Sequence, residues 1–162
     1  MKRAFVAAVI CFISAGLLAH EHTRDTASVD LGKGKVMIEY GTPKLKGRNI
    51  DEMIKPGTTW RLGMDKPTTL ETSVALDFAG KKVAPGTYTL FARPDEKKNW
   101  TLLLSTTPKP DPAAVVVETP LHFMKENTPV DTLKITLEKA GNSASLLIAW
   151  GTYRLHGSFK AS

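Results

Sequence analysis

From residue 26 onward, apolar and polar side chains alternate one for one along nearly every stretch. Val36, Ile38 and Tyr40 oppose Lys35, Met37 and Glu39, and Leu70, Thr72, Val74, Leu76 and Phe78 oppose Thr69, Glu71, Ser73, Ala75 and Asp77. The same two-residue beat carries Tyr88-Leu90-Ala92, Trp100-Leu102-Leu104 and Leu133-Ile135-Leu137. It continues through Ala144-Leu146-Ile148-Trp150 and Tyr153-Leu155-Phe159. A period of two puts one set of side chains on one side of a pleat, whereas a helix needs a period near 3.6. Gly41, Pro56-Gly57, Ala79-Gly80, Pro85-Gly86, Pro94-Asp95 and Gly141-Asn142 punctuate the runs as turns. The pattern predicts an all-β chain, an antiparallel, jelly-roll-like β-sandwich of about eight to ten strands. The helical signal is confined to Asn49–Ile54, where Pro56 stops it after a turn or two. Pro108, Pro110 and Pro112 keep their segment out of any central strand and predict a stiff surface loop.

The first residues read differently. Lys2 and Arg3 precede an apolar run from Ala4 to Ala19, interrupted only by Ser14, and charge returns at Glu21. That is the tripartite pattern of an export signal, and sixteen residues fall short of the ~20 that span a bilayer. The expected organisation is a signal peptide over 1–19, a flexible mature N-terminus over 20–26 and one β-sandwich domain over 27–160. The expected compartment is periplasmic or extracellular, with no membrane span after signal removal. Cys11 is the single cysteine and lies inside the signal. The mature chain then has no thiol for disulfides, thiolate metal sites or cysteine nucleophiles. Its core must stabilise it unaided, which about 140 residues can do.

The chain holds 22 Lys+Arg and 16 Asp+Glu, and setting aside Lys2 and Arg3 leaves a net +4. The positive residues are spread from Arg24 to Lys160 rather than gathered on one segment, and no aromatic ladder interleaves them. Nucleic-acid binding is therefore not expected. A solvated surface accounts for the charge.

Two groups of residues carry a family likeness. The first is Tyr40-Gly41-Thr42-Pro43, Lys46-Gly47-Arg48 and Trp60-Arg61-Leu62-Gly63. The second is Gly80-Lys81 with Pro85-Gly86-Thr87-Tyr88-Thr89-Leu90, followed by Asn99-Trp100-Thr101. In order and spacing these resemble the exported bacterial family of unknown function DUF2911, over roughly Ala27 to Phe159. The family tends to carry Ala-Asn where Met64-Asp65 stand here. The resemblance implies fold and export, and no mechanism.

Several constellations bear on function. Cleavage after Ala19 would leave His20-Glu21-His22 at the mature terminus, where amine, amides and imidazole form a nitrogen set suited to Cu(II) or Ni(II). His20 with His122 or His156 is an alternative pairing. Arg48, Arg61, Asp65 and Thr69 form a second candidate, a polar cleft for a small anion or a saccharide, since guanidinium groups match carboxylate, phosphate and hydroxyl partners. An Arg61–Asp65 pair that only pins a loop is the plainer account of the same residues. Trp60, Trp100, Trp150, Tyr88 and Tyr153 permit a carbohydrate platform, but Trp100 and Trp150 run in phase with core leucines and read as interior. No Gly-x-Ser-x-Gly, His-Glu-x-x-His or phosphate-loop motif occurs. The expected role is a binding or structural module without an obligate cofactor. An envelope copper- or nickel-binding protein and an uncharacterised hydrolase are the alternatives.

Overall fold

The computed structural model describes residues 23–162, so the signal read over 1–19 and both His20 and His22 lie outside the described residues. Nine strands follow: β1 (Arg24–Asp30), β2 (Lys35–Gly41), β3 (Thr69–Thr72), β4 (Leu76–Phe78) and β5 (Lys81–Val83). Then come β6 (Gly86–Pro94), β7 (Trp100–Ser105), β8 (Val115–Ala140) and β9 (Ser143–Ala161). They form one antiparallel sheet in the order β1-β2-β3-β6-β7-β8-β9-β4-β5. A short helix, α1 (Ile50–Met53), starts where the Asn49 side chain accepts the Asp51 amide at 3.0 Å.

The two long strands turn one sheet into two facing layers. The first part of β8, to Leu121, pairs with β7, and its last part, Lys134–Ala140, pairs with β9. Strand twist accumulates along such a length and swings the far half of β8 over the sheet it left. There it meets β1 and β2. The Tyr40 hydroxyl donates to the Ile135 carbonyl at 3.3 Å, and Lys44 forms a β-bridge with Thr132. Between the layers Ile38, Leu70, Leu90 and Leu104 meet Phe78, Leu133, Ile148 and Leu155, all fully buried in one cluster. Each such side chain contributes about 1.5–3 kcal/mol by leaving water.

The alternation places these residues correctly, and the differences lie in how the strands are joined. Leu70–Phe78 reads as one run, yet Ser73–Ala75 carries the chain between layers, so β3 pairs with β2 and β6 while β4 pairs with β5 and β9. The runs on either side of Gly151 read as two strands but belong to one. Gly151 sits at φ +54, a conformation open to glycine, and the register shift opposite it lets Trp150 and Tyr153 both face inward. Residues 24–26, read as part of a flexible terminus, are already in β1, with Arg24 opposite Gly41 and Thr26 opposite Glu39.

Phe91 and Leu103 face away from the main core yet are buried. With Pro110, Asp111 and Pro112 they line a hollow of about 120 Å³ against the outer face of β6 and β7. The proline-rich segment is thus a surface loop, as its composition predicts, and it shelters apolar side chains.

Candidate functional site

The four residues of the predicted cleft are divided between two loops, one carrying Arg48 and the other Arg61 and Asp65, and strand β3, which carries Thr69. Arg48 spends its guanidinium on main-chain oxygens, donating to Leu45 at 2.9 Å and Lys44 at 2.8 Å. That loop is fastened to β8 through the Leu45 and Lys46 amides, which donate to the Asp131 carbonyl and carboxylate. Arg61 and Asp65 are brought together: Arg61 Nη2 donates to the Asp65 main-chain oxygen at 2.5 Å. Thr69 stands in β3 between Glu39 and Thr89.

The aromatic residues form a continuous stack inside the protein. Trp60 lies parallel to Trp150, centroids 5.7 Å apart at 13°, and meets Trp100 edge-on at 6.0 Å. Trp100 in turn contacts Tyr153 at 5.8 Å, and Phe123 packs on Tyr153 at 5.0 Å. Trp100, Trp150 and Tyr153 are at most 5% exposed, so they offer no flat external platform. The Trp60 segment sits here because Trp60 pairs with Ala92 once β3 has left the side of β6.

Where this stack reaches the surface, the structure builds a polar cluster that periodicity did not indicate. Asp51, in α1, accepts the Tyr153 hydroxyl at 2.6 Å and the Lys125 ammonium at 2.8 and 2.9 Å. Lys98 Nζ stands 3.8 Å from the same carboxylate. The Lys125 hydrogen bonds, then that from Tyr153, hold the Asp51 carboxyl below the usual carboxylate range. Burial, reinforced by Asp51, pushes the Tyr153 phenol well above its ordinary value. A hollow of about 150 Å³ opens beside the cluster. Ile54, Pro56, Pro94 and Trp100 give it an apolar lining, and Asp51, Asp95, Lys98 and Tyr153 complete it. Asp95 caps its own turn, accepting the Lys97 and Asn99 amides and the Asn99 side chain, and these bonds, the Asn99 side chain foremost, lower its pKa. Arg48, Arg61, Asp65 and Thr69 do not line this hollow.

The cluster was missed because its members come from four elements. Asp51 and Lys125 lie 74 positions apart, and Asp51 and Tyr153 lie 102 apart. The one sequence signal is that Asp51 falls in the short helix between the Gly47-Arg48 and Trp60-Arg61 motifs.

His122 and His156 sit opposite each other on β8 and β9, ring centroids 6.4 Å apart, both exposed. Among the described residues no group of three or more His, Cys, Asp or Glu is arranged to hold a metal ion. No helix among them is long and apolar enough to cross a membrane.

The motif residues acquire structural reasons. Tyr40 ties the layers together. A Cβ on Gly41 would stand 2.4 Å from the Met64 carbonyl oxygen, so only glycine lets the loop carrying the Trp60-Arg61 motif lie against β2. Trp60 fills the aromatic stack. No curated protein and no solved structure matches the chain. A family model described as "Protein of unknown function (DUF2911)" matches residues 22–159, and the chain belongs to that family.

Proposed function

We propose that this protein is an exported, non-catalytic binding module that takes a saccharide unit in the hollow beside Asp51. The observation that carries the reading is the lining of that hollow: apolar Ile54, Pro56, Pro94 and Trp100 next to Asp51, Asp95 and Lys98. A sugar ring has the complementary make-up, with apolar C–H faces and a rim of hydroxyls that both donate and accept. At about 150 Å³ the hollow is smaller than the roughly 300–1,000 Å³ of drug-sized sites and suits one ring. Opposite charges on the rim favour a neutral polar ligand over an anion, because Lys98 already faces Asp51 at 3.8 Å.

The acidity of the rim favours binding over hydrolysis. Asp51 and Asp95 are both held below the ordinary carboxylate range. Ionised carboxylates accept hydroxyl hydrogen bonds, whereas glycoside hydrolysis needs one carboxyl kept protonated as general acid. Export rests on the Lys2-Arg3 and Ala4–Ala19 pattern at the start of the chain.

The test is calorimetric titration of the processed protein with a panel of neutral and acidic oligosaccharides and with inorganic phosphate. Binding of a neutral saccharide, weakened about tenfold or more by Lys98→Met, is the expected result. Phosphate binding without saccharide binding, or saccharide binding indifferent to Lys98→Met and Asp51→Asn, contradicts it.

A further inference from the structure

We propose that the outer face of the β8–β9 ladder carries a Cu(I) site made by His122, His156 and Met124. The two histidines are direct Cα partners in the antiparallel ladder, and Met124 lies two positions along β8 on the same face, diagonal to His156. Directly opposed residues have Cβ atoms about 4.5–5.5 Å apart, and diagonal ones about 7–8 Å apart, within reach of a long side chain. Two imidazole nitrogens that share a metal at about 2.0–2.1 Å must lie within about 4 Å of each other. The rings stand at 6.4 Å between centroids and 46° between planes, and both side chains are exposed. Because both side chains are exposed, closing the site asks only for rotation about their side-chain torsions, between staggered positions.

Met124 is the second observation. It is 45% exposed, one of three large hydrophobic side chains left in solvent among the described residues. Its partner across the ladder, Arg154, is turned away, its guanidinium buried against the Gly151, Tyr153 and Thr128 carbonyls and paired with Glu126 at 3.1 Å. The methionine is therefore neither packed in a core nor covering its neighbour's charge. Thioether sulfur with imidazole nitrogen is a soft set that selects Cu(I) over hard cations such as Mg(II) and Ca(II). Access is open, since His122 and His156 line a broad shallow trough with Pro120, Gly157 and Ser158. None of His122, Met124 and His156 lines the hollow beside Asp51, although a surface groove running from Lys98 and Trp100 to His122 adjoins it, and neither proposal depends on the other.

The experiment is an anaerobic Cu(I) titration against a chromophoric chelator, using the full processed chain with His20→Ala and His22→Ala so that the terminal histidines do not compete. One Cu(I) per chain is expected, with sulfur and nitrogen scatterers in X-ray absorption. His122→Ala and His156→Ala should each weaken binding by more than the roughly 10–100-fold that loss of an outer-shell partner costs. Met124→Leu should weaken Cu(I) binding while leaving Zn(II) binding unchanged. Thermal melting identifies any variant that fails to fold, and these exposed positions should melt like the parent. Unchanged Cu(I) affinity in any of the three variants, or absence of sulfur from the coordination sphere, overturns the proposal.

Discussion

The Tyr153 hydroxyl donates to the Asp51 carboxylate at 2.6 Å, and that bond fastens the short helix α1 to the long strand β9. Tyr153→Phe deletes the donor and leaves the ring packed on Trp100 and Phe123. Bonds to charged groups contribute about 1.5–3 kcal/mol, so the variant should lose stability of that order, read from its urea midpoint. A midpoint equal to the parent's would mean that the lysines, Lys125 and Lys98, hold Asp51 without the phenol.

The same pair sets two pH limbs. Asp51 has a depressed carboxyl pKa in the folded state, so its contribution is present above the ordinary carboxylate value and is lost as pH falls through the depressed one. Tyr153 and Tyr40 are both raised, chiefly by burial, so their contributions are complete below the ordinary phenol value and decline as pH rises beyond it. Melting temperature against pH should fall at both ends. Asp51→Asn should flatten the acid limb; an acid limb identical in the variant would remove Asp51 from the account.

Gly41 and Met64 make a prediction about the motif loop. Gly41→Ala drives a Cβ to 2.4 Å from the Met64 carbonyl oxygen, backbone that cannot swing aside like a side chain. The cost should reach about 1–3 kcal/mol, the range for overpacking. Unchanged stability would show that the loop does not rest on β2 as described.

Ala79 occupies φ +52 in the turn between β4 and β5, where a Cβ crowds the following carbonyl. Asparagine tolerates this conformation and is favoured at the first position of such two-residue turns. Ala79→Asn should stabilise the protein by roughly 1 kcal/mol, measurable as a higher denaturant midpoint. Loss of stability would contradict the left-handed assignment.

Phe91→Ala should cost about 3 kcal/mol, although Phe91 faces away from the main core. It is 2% exposed beneath the proline-rich loop. Limited proteolysis should then cut within residues 106–112 faster than in the parent. An unaffected loop would mean that Phe91 does not support it.

Much of the fold was legible because a pleat imposes its period on whatever it buries. Val36, Ile38 and Tyr40, and likewise Leu133, Ile135 and Leu137, are all core. What local pattern does not record is where a strand changes partners. Ser73–Ala75 preserves the beat of Leu70–Phe78 while the chain crosses between layers, and Gly151 interrupts the beat while the strand goes on. The site was less legible for a related reason. Arginines near Trp60 stand out in the sequence, but main-chain carbonyls at Leu45, Lys44 and Asp65 engage them. Asp51, Lys98 and Lys125 are unremarkable in the sequence, and Tyr153 reads only as one aromatic among several, until the sheet folds over and stacks four elements at one end.

The central claim is that a saccharide occupies the hollow beside Asp51, and the three tryptophans provide its most direct test. Each indole N–H gives its own peak in a proton–nitrogen correlation spectrum. Trp100 lines the hollow, whereas Trp150, behind Trp60, donates its indole N–H to the Asp131 carbonyl at 3.1 Å. Titration with a bound oligosaccharide should move the Trp100 peak, with the backbone peaks of Asp95 and Lys98, and leave the Trp150 peak in place. Shifts confined to other surfaces, with Trp100, Asp95 and Lys98 unmoved, would contradict the assignment.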